Sequence, residues 1–238
     1  MCITYFLYKN FYIDNMKGIK KLLPLLLFAS MLLLVGCVYN SNGRNRRVEL
    51  DYENVYALDE ELVSLELSGG VDVVVDSAIA KNQVRVLANT EDFSKLVVKA
   101  ENGRLVISYK RNIGNKEYKV LVPPFNYNTL VLSGGSDLEW DGCDVDKLAV
   151  TVSGGADCEV KGKCNTLEIV SSGGGDVDLD ELLAGVVSVV ASGGADVELH
   201  AVRTISVFAS GGSDVYIDGT PQISGWSISG GADVHIKR

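Results

Sequence analysis

The chain has 238 residues, 47% hydrophobic and 8% aromatic, enough for one sizeable core or two small ones. A formal net charge of -9 argues against nucleic acid, which needs a basic footprint. With 25 glycines and 4 prolines, the mix suits a turn-rich β protein rather than a collagen-like or disordered one.

Residues 1–15 fit no part of the segment that follows, and translation is expected to begin at Met16. Residues 16–36 read as a lipoprotein signal peptide. Lys17, Lys20 and Lys21 form a basic head, and Leu22 to Val35 an apolar run too short for a comfortable membrane span. The box Leu34-Val35-Gly36-Cys37 resembles the cleavage and lipidation site of bacterial lipoproteins, with Cys37 as the acylated residue that engages the membrane. An N-terminal transmembrane anchor is the other reading of this segment. Residues 37–50 are polar and read as a lipid-anchored tether. The expected location is the bacterial cell envelope, as an outer-membrane lipoprotein. No acidic residue directly after Cys37 selects a leaflet, so the surface and periplasmic faces both stay open.

Residues 51–128 read as an N-terminal β segment. Leu62 to Asp76 contains Ser68-Gly69-Gly70-Val71-Asp72 between two alternating runs and looks like one isolated coil. Further strands follow, with Asn102-Gly103 as a hairpin turn and Pro123-Pro124 as a stop. This segment is expected to cover the open front of a stack and hide its edge strand.

Residues 129–238 read as β-solenoid repeats. The phrase Ser-Gly-Gly-x-Asp starts again at Ser133, Ser153, Ser172, Ser192, Ser210 and Ser229, at spacings of 20, 19, 20, 18 and 19. Its glycine pairs are Gly134 and Gly135, Gly154 and Gly155, Gly173 and Gly174, Gly193 and Gly194, Gly211 and Gly212, Gly230 and Gly231. Its aspartates are Asp137, Asp157, Asp176, Asp196, Asp214 and Asp233. Apolar residues alternate on either side of each phrase, as Val150, Val189 and Val207 do before it. That gives the period of a strand, and a steady period near 20 marks a repeat architecture. The fold class is all-β: a parallel β-helix of ~20-residue coils, preceded by a β-rich segment with antiparallel hairpins. At about 4.8 Å per coil, the last six phrases make a stack roughly 25 Å tall.

The phrase reads as a structural corner. Both glycines are expected to take positive φ, and Ser and Asp to accept turn amides that no strand neighbour satisfies. Stacking lines the aspartates up, and adjacent carboxylates repel by roughly 1 kcal/mol in water. Capping offsets this in the favoured reading. Calcium on Asp137, Asp157, Asp176 and Asp196 is the weaker alternative, because Ca²⁺ wants six or more oxygens. No metal and no cofactor are expected. A second acidic set, Glu139, Glu159, Asp178 and Glu198, reads as a solvated face. Val131, Val170, Val190 and Phe208 should point outward and form an apolar interaction stripe for a protein, a glycan or another subunit in a homo-oligomer. Cys143 and Cys164 fall in equivalent loops and are expected to bridge if the loops adjust, while Cys158 reads as a small core residue. His200 and His235 occupy different repeat offsets, and no clustered active site is visible, so the chain is not expected to be an enzyme.

Several motifs together resemble the auto-transporter adhesin family with a head GIN domain, over about residues 55 to 236. They are the early LSGGVDVVV coil, VLVPPFNYNTLVLSGGSDLEW, the later repeats and the closing YIDGTPQISGWSISGGADV. Tyr216, Gly219 and Pro221 fill the family's terminal Tyr-x-Gly-x-Pro with one extra residue, and Gly-Gly-x-Asp stands where relatives often have Ser-Gly-Ser-Gly. The resemblance implies a β-helical envelope protein and transfers no binding residues. The leading expectation is an envelope lipoprotein with a non-catalytic solenoid, an adhesin or interaction scaffold. The alternative is a carbohydrate-binding or carbohydrate-active β-helix protein using the acidic face.

Overall fold

The structure is a computed structural model that describes residues 49–110 and 113–237. The proposed start at Met16, the signal segment, the lipidation box at Cys37 and the tether up to residue 48 lie outside the described residues.

Alternating sequence becomes strand throughout. The N-terminal segment supplies β1 (Tyr52–Ala57), β2 (Ser64–Ser68), β3 (Asp72–Val75), β4 (Gln83–Ala88), β5 (Leu96–Glu101), β6 (Arg104–Tyr109) and β7 (Tyr118–Val122). The repeats supply β8 (Thr129–Gly134), β9 (Asp137–Gly154), β10 (Asp157–Gly173), β11 (Asp176–Gly193), β12 (Asp196–Gly211), β13 (Asp214–Asp218), β14 (Gln222–Ile228) and β15 (Asp233–Lys237). One 3-10 turn, Phe93–Lys95, starts where Asp92 accepts from the Ser94 amide at 3.0 Å. No helix among the described residues is long and apolar enough to cross a membrane.

Each of β9 to β12 is one coil with two arms: a first arm leaving one Gly-Gly corner and a second arm entering the next. First arms pair with first arms, second arms with second arms, all parallel. The equivalence holds residue by residue. Val150, Ile169, Val189 and Val207 are consecutive register partners, each no more than 1% exposed. They form an interior column, as the alternation requires. The opposite arm sends in Leu138, Cys158, Val177, Val197 and Val215, also buried. The core is the space enclosed by these two ladders and by the paired far bends, where Cys143, Leu182, Ala184 and Ala201 are also buried, and no coil could bury it alone.

The corner is constant and the far bend is not. At the far bends the register slips between Val160 and Gly162, between Leu179 and Leu183, and between Ala184 and Val186. The repeat length therefore drifts between 18 and 20 without disturbing the corners.

The early phrase at Ser68 is separate in sequence but not in space. β2 pairs in parallel with β8, Ser68 opposite Ser133, and β3 pairs with β9, Asp72 opposite Asp137. It is the next rung of the same ladder. β6 and β7 add one more coil above it, parallel to β2 and β3. The antiparallel strands then close this end: β5 on β6, β4 on β7, and β1 on β4.

Candidate functional site

The corners show why the phrase recurs. The first glycine of every phrase has positive φ, from 75° at Gly230 to 107° at Gly173. The second does so only at Gly70, with φ 86°. From Gly155 onward the amide of the second glycine donates to a carbonyl of the coil before, while at the first corner the amide of Gly70 donates to Oγ of Ser136 at 3.3 Å. The amide of Gly174 donates to the Gly154 carbonyl at 2.7 Å, that of Gly194 to Gly173 at 2.6 Å and that of Gly212 to Gly193 at 2.6 Å. The aspartate amides likewise donate to the coil before, as Asp214 does to the Ala195 carbonyl at 3.0 Å. The capping expected of the Ser and Asp side chains is therefore replaced by backbone. Stacking already brings each carbonyl of one coil under an amide of the next. One aspartate side chain accepts an amide of the next corner: Oδ1 of Asp157, from Asp176 at 3.2 Å. Two of the phrase serines donate instead, Ser133 to the Leu67 carbonyl at 3.2 Å and Ser153 to that of Leu132 at 3.4 Å. The position between glycine and aspartate points inward and, from Ser133 onward, stays small, whereas Val71 fills it in the early phrase. Ser136, Ala156, Ala195 and Ser213 are fully buried there.

Freed from the turn, the aspartates project outward. Asp72, Asp137 and Asp157 are successive register partners, and so are Asp196, Asp214 and Asp233. Beside them runs a second column, Glu139, Glu159, Asp178 and Glu198, which ends in Tyr216 and His235. The last two rings stack at 4.9 Å between centroids. Partial burial, then the charges of Asp157, Asp72 and Glu139, push the carboxyl of Asp137 up to about 6. Burial also raises Asp72, Asp176 and Asp178 above the usual carboxylate range. Two lysines relieve the face. Lys161 bridges Glu159 at 2.9 Å and Glu181 at 2.8 Å, and Lys237 reaches Glu198 at 2.9 Å. The carboxylates stand in lines rather than converging. Among the described residues no three His, Cys, Asp or Glu side chains are grouped so as to hold a metal ion, those of Asp137, Asp157, Asp176 and Asp196 included.

The opposite sheet carries the apolar stripe. Val131, Thr151, Val170, Val190 and Phe208 are register partners in that order, on the outer surface of the second arms. Val170 is 46% exposed, Val190 41% and Phe208 50%, while Val131 is half-buried. Early on this sheet the charges are paired, Arg104 with Glu66 and Lys147 with Glu168 at 2.7 Å. On β11 and β12 the outward residues are Val186, Ser188 and Val190, then Thr204, Ser206 and Phe208, with no ionisable group among them. The solenoid thus has two unlike outer faces, one a lattice of carboxylates, the other neutral and partly apolar.

Among the described residues the cysteines are Cys143, Cys158 and Cys164, all free and buried, so the expected Cys143–Cys164 bridge is not made. The far bend explains it: Cys143 lies opposite Gly162, and Cys164 opposite Val145, two residues out of step. Burial pushes the thiols of Cys143 and Cys158 up to about 12 and that of Cys164 to about 11, so all three are protonated and poorly nucleophilic at neutral pH. The far bends also line an open depression of about 410 Å³ with Lys163, Cys164, Leu183, Val202 and Arg203.

Residues 62–221 match the family described as "Putative auto-transporter adhesin, head GIN domain". The chain belongs to this family. Three solved structures share the head GIN chain's fold, each described as a putative adhesin. One from Bacteroides fragilis is 17% identical and covers 78% of this chain and 95% of its own, with a TM-score of 0.60. One from Parabacteroides distasonis is 13% identical, covering 78% and 96%, with a TM-score of 0.52. One from Parabacteroides merdae is 13% identical, covering 79% and 96%, with a TM-score of 0.51. At these identities the likeness speaks for the fold alone. No curated protein matches the chain.

Proposed function

We propose that this head GIN protein is an envelope lipoprotein, acylated at Cys37, whose solenoid is a non-catalytic adhesive scaffold presenting the neutral sheet to a partner. The observation that carries the reading is the register column Val170, Val190 and Phe208, each 41–50% exposed, on a sheet whose neighbouring positions on β11 and β12 carry no charge. A contiguous apolar patch on a rigid, fully hydrogen-bonded sheet loses little conformational entropy when it is covered. The carboxylate face opposite keeps the molecule soluble and discourages docking on that side. The family description points the same way.

Replacing Val190 and Phe208 together by glutamate tests it. Cells carrying the variant are expected to attach several-fold less to protein-coated plastic, with the purified protein's melting temperature unchanged. Attachment at the native level would overturn the stripe as the contact surface. A glycan array with turnover assays on acidic polysaccharides separates the carbohydrate reading: cleavage of any of them would end the non-catalytic assignment. For the anchor, Cys37→Ala should abolish incorporation of labelled palmitate, and persistent labelling would refute acylation at that residue.

A further inference from the structure

The two ends of the solenoid are finished differently. At the N-terminal end β4 and β5 cover the edges of β7 and β6. At the other end β14 pairs with β12 and β15 with β13, and among the described residues nothing pairs with their far edges. The interior columns run straight out of this end. Ile205, Val207 and Ala209 continue into Ile223, Trp226 and Ile228, and Val215 and Ile217 into Val234 and Ile236. The first of these sets is at most 2% exposed, whereas Ile223, Trp226, Ile228 and Ile236 are 47, 41, 40 and 38% exposed. An apolar floor therefore lies open between two strand edges with unpaired backbone groups, a combination that invites pairing.

Whatever closes this end must satisfy both edges and the floor at once. A single added strand meets one edge and leaves the other. The end of a second solenoid meets both, since it brings two edges the same distance apart with an apolar interior between them. A copy related by a two-fold axis that crosses the open end through β15 lays β15 antiparallel on β15 and brings the two apolar floors together. The sequence of β15 fits that arrangement. Asp233, His235 and Lys237 share its outer surface, and Val234 and Ile236 its inner one. Centred on His235, Asp233 of each copy stands opposite Lys237 of the other, and Val234 opposite Ile236. Opposite charges directly across a strand pair stabilise it, and like charges there destabilise it. Lys237 already reaches Glu198 at 2.9 Å, and an ammonium has three donors to divide between two carboxylates.

The geometry points to a tail-to-tail dimer of this chain, closed by β14 and β15 with Asp233 and Lys237 exchanged between the copies. This inference does not depend on the adhesive reading, because it uses the open end and the last rung of the carboxylate face, and not the apolar stripe of Val170, Val190 and Phe208.

Sedimentation velocity of the full chain in mild detergent should show a reversible dimer in the micromolar range. Asp233→Lys alone and Lys237→Asp alone each place two like-charge pairs across the two-fold, and each should weaken the dimer roughly tenfold. The two substitutions in one chain restore opposite charges and should recover most of the loss. His235→Cys places two thiols face to face on the two-fold axis and should give a covalent dimer under mild oxidation. A monomer at every concentration would overturn the dimer. Single swaps without effect, or a double swap that fails to rescue while melting normally, would overturn the pairing. If the charge variants do not fold, the cysteine variant still decides: a failure to cross-link refutes the arrangement.

Discussion

Gly193 and Gly194 are neighbours with the same side chain and unequal reasons for it. Gly193 has φ 83°, and a Cβ there would sit 2.7 Å from the Gly173 carbonyl oxygen and 3.0 Å from its nitrogen. A Cβ on Gly194 would meet nothing nearer than 3.7 Å, and its φ lies outside the left-handed region. Gly193→Ala should therefore cost about 1–3 kcal/mol from backbone strain alone, before the overlap with the coil below is counted. Gly194→Ala should change stability by less than about 0.5 kcal/mol. Urea denaturation of the two variants checks this, and equal losses would mean the corner is not built as described. The glycine pair is plain in the sequence, but its asymmetry is not, because the second coil that would clash is absent from any local reading. Ser171 makes a similar point. It occupies the interior column between Val152 and Ala191, and its hydroxyl, buried, has no partner. Ser171→Ala removes an unsatisfied group and should stabilise the fold by about 1 kcal/mol. A lower urea midpoint would show that the hydroxyl is paired after all.

Along a single ladder the aspartates behave as a set. Their order in one column follows from the period of the phrase, so it was legible. Their release from the turn was not, because the amides they were expected to accept are taken by carbonyls of the preceding coil, as Gly212 is by Gly193 at 2.6 Å. The consequence is a pH dependence opposite to that of most acidic domains. In the unfolded chain the Asp137 carboxyl titrates near 3.8, while in the fold burial and its acidic neighbours hold it at about 6. Between those values the folded state binds more protons than the unfolded one, so stability rises as pH falls from 6 towards 3.8. Asp72, Asp176 and Asp178 shift in the same direction and add to the effect. The melting temperature should be higher at pH 5 than at pH 7. Asp137→Asn should raise it at pH 7 and flatten the response. A melting temperature that falls on mild acidification would show that the carboxylates are stabilised by partners rather than strained by one another.

For the whole molecule, order along the chain and order along the stack diverge. The coil made by β2 and β3 is inserted between β6 and β8 on one ladder and between β7 and β9 on the other. From sequence it looks isolated, because the residues between its phrase and the next build the cap instead of another coil. Only the pairing of Ser68 with Ser133 reveals that it is a rung. In such a stack stability is a sum of coil and neighbour terms, so an end opens more readily than the middle. The ends here are not equivalent. The N-terminal end carries antiparallel strands over its last coil, while β14 and β15 have an exposed floor and, among the described residues, one neighbour each. Native-state hydrogen exchange at dilute concentration should find amides of β10 and β11 slowest, those of β6 and β7 intermediate, and those of β14 and β15 fastest. Raising the protein concentration should slow β14 and β15 selectively, because tail-to-tail association covers their edges and leaves the other end untouched. Uniform protection along the stack would mean that the open floor is no weaker than the capped end. The unequal construction of the two ends would then have no energetic consequence.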